Sequence, residues 1–534
     1  MAREWLKEAI FYEIYPQSFK DTNADGIGDF NGIIEKLDYI KDLGFNAIWM
    51  NPCFESPFGD AGYDVADYFK AAPRYGTNED LKRLFKEVHA RGMHIILDLV
   101  PGHTSTECKW FKESCKADRN DYTDRYIWTN SVWENGTGTG NTTGWLGGIS
   151  ERDGCALLNF FAFQPALNYG FAYPDPTCPW QQTPDAPGPM GTRAAIKEVM
   201  RFWLGMGCDG FRVDMAGSLV KNDPDSKATI ALWQDFRKFL DKEFPEAAII
   251  SEWGEPDKSL KGGFHMDFVL HFGPSHYLDL FRTAQPYFSA KGEGDAKEFF
   301  DLYTKNLRLA KNGGGLICIP SGNHDMDRMA RTLDEKEMKL AFMFLLTMPG
   351  VPFVYYGDEI GMHYVENLKS VEGGYGRTGS RSPMQWDNST NAGFSCAPSD
   401  MLYIKQDSSR SKINVENEEK DENSLLNTVK KLISLRRENA ALMNTADFKI
   451  LYCEKGEYPL IYARETEGEK IIVALNPSGK NASAEIELPI GNVKVLSVMS
   501  EGVLKNAGEA DIRFLREGKA VVSLKPQSAI LLKV

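Results

Sequence analysis

Apolar residues along this chain follow two periods in alternation. Short runs rich in β-branched and aromatic residues occupy 9–15, 47–50 and 94–100. Between them the spacing lengthens to that of a helix. Ile33, Leu37, Ile40 and Leu43 share one face before Gly44, and Leu81, Leu84, Phe85 and Val88 share another before Gly92. Stripes of this spacing, stopped by glycine, predict helices. The alternation lapses over 104–189, a stretch rich in Gly, Pro, Thr and Trp and too long for a strand-to-helix loop. It reads as an inserted subdomain. The pattern resumes with a helix over 194–204 and strand-like runs at 211–215, 248–251, 268–271, 316–319 and 353–356. Eight strands alternating with helices predict an α/β fold, a (β/α)8 TIM barrel built from 1–103 and 190–442. Beyond 442 only β-like runs remain, at 449–451, 460–464, 470–475, 484–488, 493–498 and 528–534. They predict a C-terminal all-β sandwich over 443–534. The charged run 416–422 reads as a solvated loop.

Length supports this division, since 534 residues exceed what one compact core sustains. A net charge of −14 excludes nucleic acid, whose phosphates need a basic surface, and suits a neutral polyhydroxylated ligand. The sequence shows no basic start leading into an apolar run and no apolar stretch of about 18 residues. No signal peptide and no membrane partner are therefore expected. Nine cysteines, an odd number scattered without zinc-ligand spacing, predict reduced thiols and a cytoplasmic location.

Reacting groups in such a barrel sit at the C-terminal ends of strands. Four ends carry unusual polar sets: Asp98 to His103, Arg212 and Asp214, Glu252 to Glu255, and Asn323-His324-Asp325. Alternation puts Arg212 and Asp214 on the inward face, with Phe211 and Val213 towards the helices. An arginine beside Asp214 favours its ionised, nucleophilic form. Glu252 ends an apolar strand, where desolvation favours the protonated form of a general acid. Glu255 is its rival but lies past the strand end. One ionised and one protonated carboxyl across a bond is the arrangement for glycoside hydrolysis.

With these motifs in order, from Ile10-Phe11-Tyr12-Glu13-Ile14-Tyr15-Pro16 to Arg381-Ser382-Pro383-Met384-Gln385-Trp386, the chain resembles the α-amylase family of glycoside hydrolases. The branch it resembles most holds oligo-1,6-glucosidases, α-glucosidases and trehalose synthases. The resemblance implies Asp214 as nucleophile, Glu252 as acid/base and Asp325 as the third catalytic carboxylate, binding ring hydroxyls. It implies His103, Arg212 and His324 as sugar ligands, Asp98 as support for His103 and Arg212, and Tyr63 stacked on the ring. It also implies that Asp60 and Arg381 pair to grip the terminal sugar in an exo-type pocket. The expected substrate is a short α-gluco-oligosaccharide. A transglycosylase or isomerase would use the same intermediate, and a non-catalytic carbohydrate-binding relative would have lost a carboxylate that is kept here.

Asp21, Asn23, Asp25, the Ile27 carbonyl and Asp29 place oxygen ligands at alternate positions, with Gly26 for the turn. This spacing predicts a structural Ca2+ or Mg2+ loop, and the same branch carries a comparable site. The twelfth position is Gly32, so the closing glutamate of an EF-hand is absent. Gly102 stands where many relatives place an asparagine ligand of a second calcium, which is not expected here. Ala166, Met215 and Ser251 also depart from the pattern; Ser251 stands where glycine is commoner.

Overall fold

The computed structural model describes residues 3–134, 144–148, 150–372, 377–488, 493–516 and 518–534. Met1, Ala2 and parts of the expected 104–189 insert lie outside the described residues. Eight parallel strands close a barrel: β1 (Phe11–Ile14), β2 (Ala47–Met50), β3 (His94–Leu99), β4 (Gly210–Val213), β5 (Ala248–Ser251), β6 (Met266–Phe268), β7 (Leu316–Pro320) and β8 (Val351–Tyr355). Strand β1 pairs with both β2 and β8 and so completes the ring.

Alternation along the strands separates two cores. Phe11, Trp49, Ile96, Ile250, Met266, Phe268 and Phe353 pack together inside the barrel. Ile95, Leu97, Phe211, Val213 and Ile249 pack outward in the large core that includes the helices. Phe11 and Phe353 face each other in register and stack with ring centroids 4.2 Å apart. The interior is therefore full, and a ligand must bind at the strand ends.

The stripe from Ile33 to Leu43 forms two helices, α1 (Phe30–Glu35) and α2 (Leu37–Leu43), because Lys36 leaves helical backbone at φ −107°, ψ 6°. Helix α3 (Asn78–Ala90) starts in a capping box between Thr77 and Asp80 and buries Leu81, Leu84, Phe85 and Val88. Helix α4 (Pro187–Met206) begins with proline in its first turn and buries Ile196, Val199, Met200 and Trp203.

Three expectations need correction. The run expected at 268–271 is strand only at Met266–Phe268, where Met266 pairs with Ile250 and Leu316; Val269 and Leu270 lie beyond its end. The run 211–215 stops at Val213, because Met215 turns to φ 45°, which no strand tolerates. The charged run 416–422 opens as a helix, Val415–Lys420, whose N-cap Asn414 accepts the Asn417 N–H at 3.0 Å.

The described residues of the C-terminal region form nine strands: β9 (Asp447–Tyr452), β10 (Leu460–Thr466), β11 (Glu469–Asn476), β12 (Ala482–Glu487), β13 (Lys494–Ser500), β14 (Val503–Asn506), β15 (Asp511–Phe514), β16 (Lys519–Leu524) and β17 (Ser528–Lys533). They form one sheet ordered β9-β10-β11-β17-β13-β14 and another ordered β12-β16-β15. Ile461, Ile472 and Leu532 of the first pack with Ile486 and Val522 of the second. The side facing the barrel carries Arg464, whose guanidinium donates to the Thr347 and Met443 carbonyls at 2.5 and 2.6 Å. Among the described residues no helix is long and apolar enough to cross a membrane.

Candidate active site

Arg212 sits on the inward face of β4 and gathers three carboxyl groups from three strand ends. Its Nη1 donates to Asp98 Oδ1 at 2.8 Å and to Asp214 Oδ1 at 3.1 Å, and its Nη2 lies 2.8 Å from Glu252 Oε1. The left-handed turn at Met215 aims its N–H at Glu252 Oε2, 3.1 Å away. Asp214 and Glu252 thus touch the same guanidinium. Burial foremost, then the charge of Glu252, push Asp214 well above the ordinary carboxylate range, against Arg212, which lowers it. The expectation that Arg212 suffices to keep Asp214 ionised is corrected accordingly, because one guanidinium is shared among three carboxyls. The two groups that a nucleophile and an acid would need are thus held by one guanidinium, each from its own strand end.

A second cluster faces the first. Arg377 Nη1 donates to Asp325 Oδ1 at 2.7 Å and its Nη2 to Asp60 Oδ1 at 3.0 Å. Arg381 Nη2 also reaches Asp325 Oδ1, at 2.9 Å, and its Nε donates to the His324 carbonyl at 2.8 Å. The cation that meets Asp60 is therefore Arg377, while Arg381 meets Asp325. Arg381 is fully buried beneath the site and braces the chain at Asp325. Burial works against ionisation of Asp325, but the fields of His324, Arg377, Arg381 and His271 outweigh it and hold the group well below the usual range. Asp60 is fixed from the other side by Gln164 Nε2, 2.9 Å from Oδ2.

Tyr63 stacks on His324 with ring centroids 5.4 Å apart, and its hydroxyl lies 2.7 Å from His324 Nε2 and 3.1 Å from Asp98 Oδ2. Asp98 also accepts from Trp49 Nε1 at 3.1 Å, and burial raises its carboxyl to about 6. Asp98 thus supports Arg212 as expected, whereas the partner of His103 Nδ1 is Asn159, at 3.0 Å. Burial pushes both His103 and His324 down to about 3, so each is a neutral ring at physiological pH.

The loop after β1 is curled by its own side chains. Asp21 accepts the N–H groups of Asn23, Ala24 and Gly26, Asn23 Oδ1 accepts that of Asp25, and Asp25 Oδ1 accepts that of Ile27. Asp29 caps α1 through the Gly32 N–H at 2.8 Å. Among the described residues none of Asp21, Asp25 and Asp29 has an ion-pair partner; each side chain accepts backbone N–H groups of its own loop. No three acidic, His or Cys side chains there form a ligand set unaided. A cation here would need the Asn23 side chain and the Ile27 carbonyl as further oxygen ligands.

A cavity of about 520 Å³ lies elsewhere, between Leu316, Asn444 and Phe448. Its carboxylates Glu4 and Asp447 are each ion-paired to a lysine, so chemistry rather than volume places the site.

The α-amylase catalytic-domain model matches residues 13–170 and 189–445. The chain belongs to the α-amylase family. An oligo-1,6-glucosidase of Parageobacillus thermoglucosidasius is 32% identical, over 90% of this chain and 92% of that protein. A glucan 1,6-alpha-glucosidase of Streptococcus pneumoniae is 30% identical, over 95% and 97%. Among solved structures, the trehalulose synthase MutB of Pseudomonas mesoacidophila superposes over the full length of both chains with a TM-score of 0.80 at 26% identity. As a member of this family the chain is a retaining glycoside hydrolase acting on α-glucosidic bonds.

Several residues of this α-amylase-family site escaped the sequence reading. Arg377 lies one short turn before Arg381, in a glycine-rich stretch that hid it. Glu13 and Asn51, at the ends of β1 and β2, hold His324 Nδ1 at 3.0 and 3.1 Å. Both are polar residues closing apolar strands, the same signal that marked Asp98 and Glu252.

Proposed function

We propose that the chain is an exo-acting α-glucosidase that removes glucose from short α-gluco-oligosaccharides. In this reading Asp214 attacks the anomeric carbon while Glu252 gives its proton to the departing glycosidic oxygen. The glucosyl–Asp214 ester forms as the old bond breaks. Glu252, now a carboxylate, takes a proton from water, whose oxygen displaces Asp214 and restores both groups. Arg212 stays in contact with both carboxyls throughout. Asp325, held anionic, accepts hydroxyls that draw closer as the ring flattens, so its binding favours the transition state.

The bridge from Asp60 through Arg377 to Asp325 carries the exo assignment. It ties the loop after β2 to the segment after β8 and ends the groove at the sugar that binds Asp325. The test is Arg377→Ala against wild type on a disaccharide and on long starch chains. The expected result is a rise of about tenfold or more in KM for the disaccharide. Equal behaviour of the two proteins on both substrates would show the groove to be open.

If a sugar hydroxyl took the place of water, the same site would make an isomerase or transglycosylase. The names of the trehalulose synthase and of the trehalose synthase/amylase of Mycobacterium tuberculosis, 31% identical, support keeping that second reading. Product identification from sucrose, maltose and isomaltose separates the two.

Asp21, Asn23, Asp25, Ile27 and Asp29 would hold a structural Ca2+, or Mg2+ in its place, which neutralises the gathered carboxylates and pins the loop before α1. A cytoplasmic location is supported by nine cysteines that all remain free.

A further inference from the structure

Among the buried carboxyls that this mechanism leaves unused, Asp267 on β6 differs in its partners. Met266 and Phe268 turn into the barrel, which leaves Asp267 on the outer face with Ser251, its register partner on β5. Asp267 Oδ1 accepts the Ser251 hydroxyl at 2.7 Å and the N–H groups of Trp253 and Gly254 at 3.2 Å each. Those donors flank Glu252, one immediately before it and two immediately after. Both Asp267 and Ser251 are fully buried.

On the β4 side the backbone of Glu252 is already held. Its N–H bonds the Val213 carbonyl at 3.0 Å and its carbonyl accepts the Ala216 N–H at 3.2 Å. On the β6 side the chain leaves strand geometry, with Gly254 at φ 76°, and its amides turn to a side chain. Keeping a carboxyl in so dry a place has a cost: burial pushes Asp267 up to about 7, and the Ser251 hydroxyl and the two amides pull it back. Packing alone would be served by an apolar residue. The Ser251 hydroxyl is the shortest of the three bonds to Asp267 Oδ1.

We propose that Asp267, with Ser251, is a positioning residue for the acid/base, clamping the backbone on both sides of Glu252. It acts through the turn, from the face of the sheet opposite the sugar. The proposal rests on Glu252 being the acid/base.

The test compares kcat/KM on p-nitrophenyl α-glucoside, whose leaving group departs without a proton, and on an α-glucosyl disaccharide that the wild type cleaves, whose alcohol needs one. Asp267→Ala is expected to lose about 100-fold on the disaccharide, the scale of a 1 Å misplacement, and under about fivefold on the nitrophenyl glucoside. Ser251→Ala should show the same selectivity with a loss of about fivefold on the disaccharide, and Asp267→Asn, whose amide oxygen still accepts, should stay near wild type. Glu252→Gln is measured alongside. If it shows no dependence on the leaving group, the acid/base reading falls and the clamp with it. If it does, equal losses on the two substrates for Asp267→Ala overturn the clamp alone. Should Asp267→Ala not fold, unselective behaviour of Ser251→Ala does the same.

Discussion

The top of the barrel and the C-terminal sandwich bury similar kinds of strand but opposite kinds of side chain. Around Arg212 the barrel buries Glu13, Asp60, Asp98, Asp214 and Arg381. Between the two sheets of the sandwich the core is aliphatic, with Ile461, Ile472, Ile486, Val522 and Leu532. In the described part of 447–534 the one buried charge is Arg464, which faces the barrel. Apolar burial stabilises wherever it is placed, whereas buried carboxyls cost desolvation that their partners only partly return. The barrel end is arranged for chemistry at the expense of stability, whereas the core of the sandwich carries no such cost.

Substitutions at each end should separate these roles. Asp214→Asn should lower kcat by at least about 10³-fold while the thermal midpoint holds or rises, since a desolvated carboxyl is removed. Retained activity would refute its role as nucleophile. Ile472→Ala should do the reverse, costing about 2–5 kcal/mol in denaturant melts and leaving kcat of the folded protein unchanged.

The loop 21–29, proposed to hold a cation, should fall between these extremes and affect stability rather than chemistry. Chelation followed by calcorimetric or spectroscopic melting should remove about 3 kcal/mol, the linkage expected for an ion at some hundredfold above its Kd. Loss of kcat with folding intact would contradict a structural ion.

The smallest effect concerns pH. His103 titrates at about 3 in the folded protein and near its ordinary value of about 6.5 when unfolded. The unfolded chain therefore takes up the proton first as pH falls. The stability tied to the neutral ring is complete above about 6.5 and is lost progressively towards 3. Melts of wild type and His103→Asn at pH 7 and pH 5 should show the wild-type advantage shrinking by about 2 kcal/mol. A gap that widens on acidification would show the ring to be charged.

Much of this was legible in the chain itself. The two hydrophobic periods announce eight strands, their helices and the change to β structure after 442, because burial on one face of a strand or helix imposes its period locally. The strand-end sets mark Asp98, Arg212, Asp214, Glu252 and Asp325 for the same reason, since a polar residue closing an apolar strand is exposed to the barrel mouth. Strand ends were less legible: Val269 and Leu270 are as apolar as Met266, and pairing with neighbouring strands decides which of them join the sheet.

What the sequence by itself determined is the order of elements and the kinds of group at each strand end. Only the tertiary structure decided which charges meet. Arg377 and Arg381 are chemically alike and four residues apart, yet one bridges Asp60, 317 positions away, and the other is buried under His324. Likewise Asn159, not Asp98, holds His103. Period is a local property of the backbone, whereas ion pairing depends on how distant loops pack over the barrel mouth, and no local pattern encodes that.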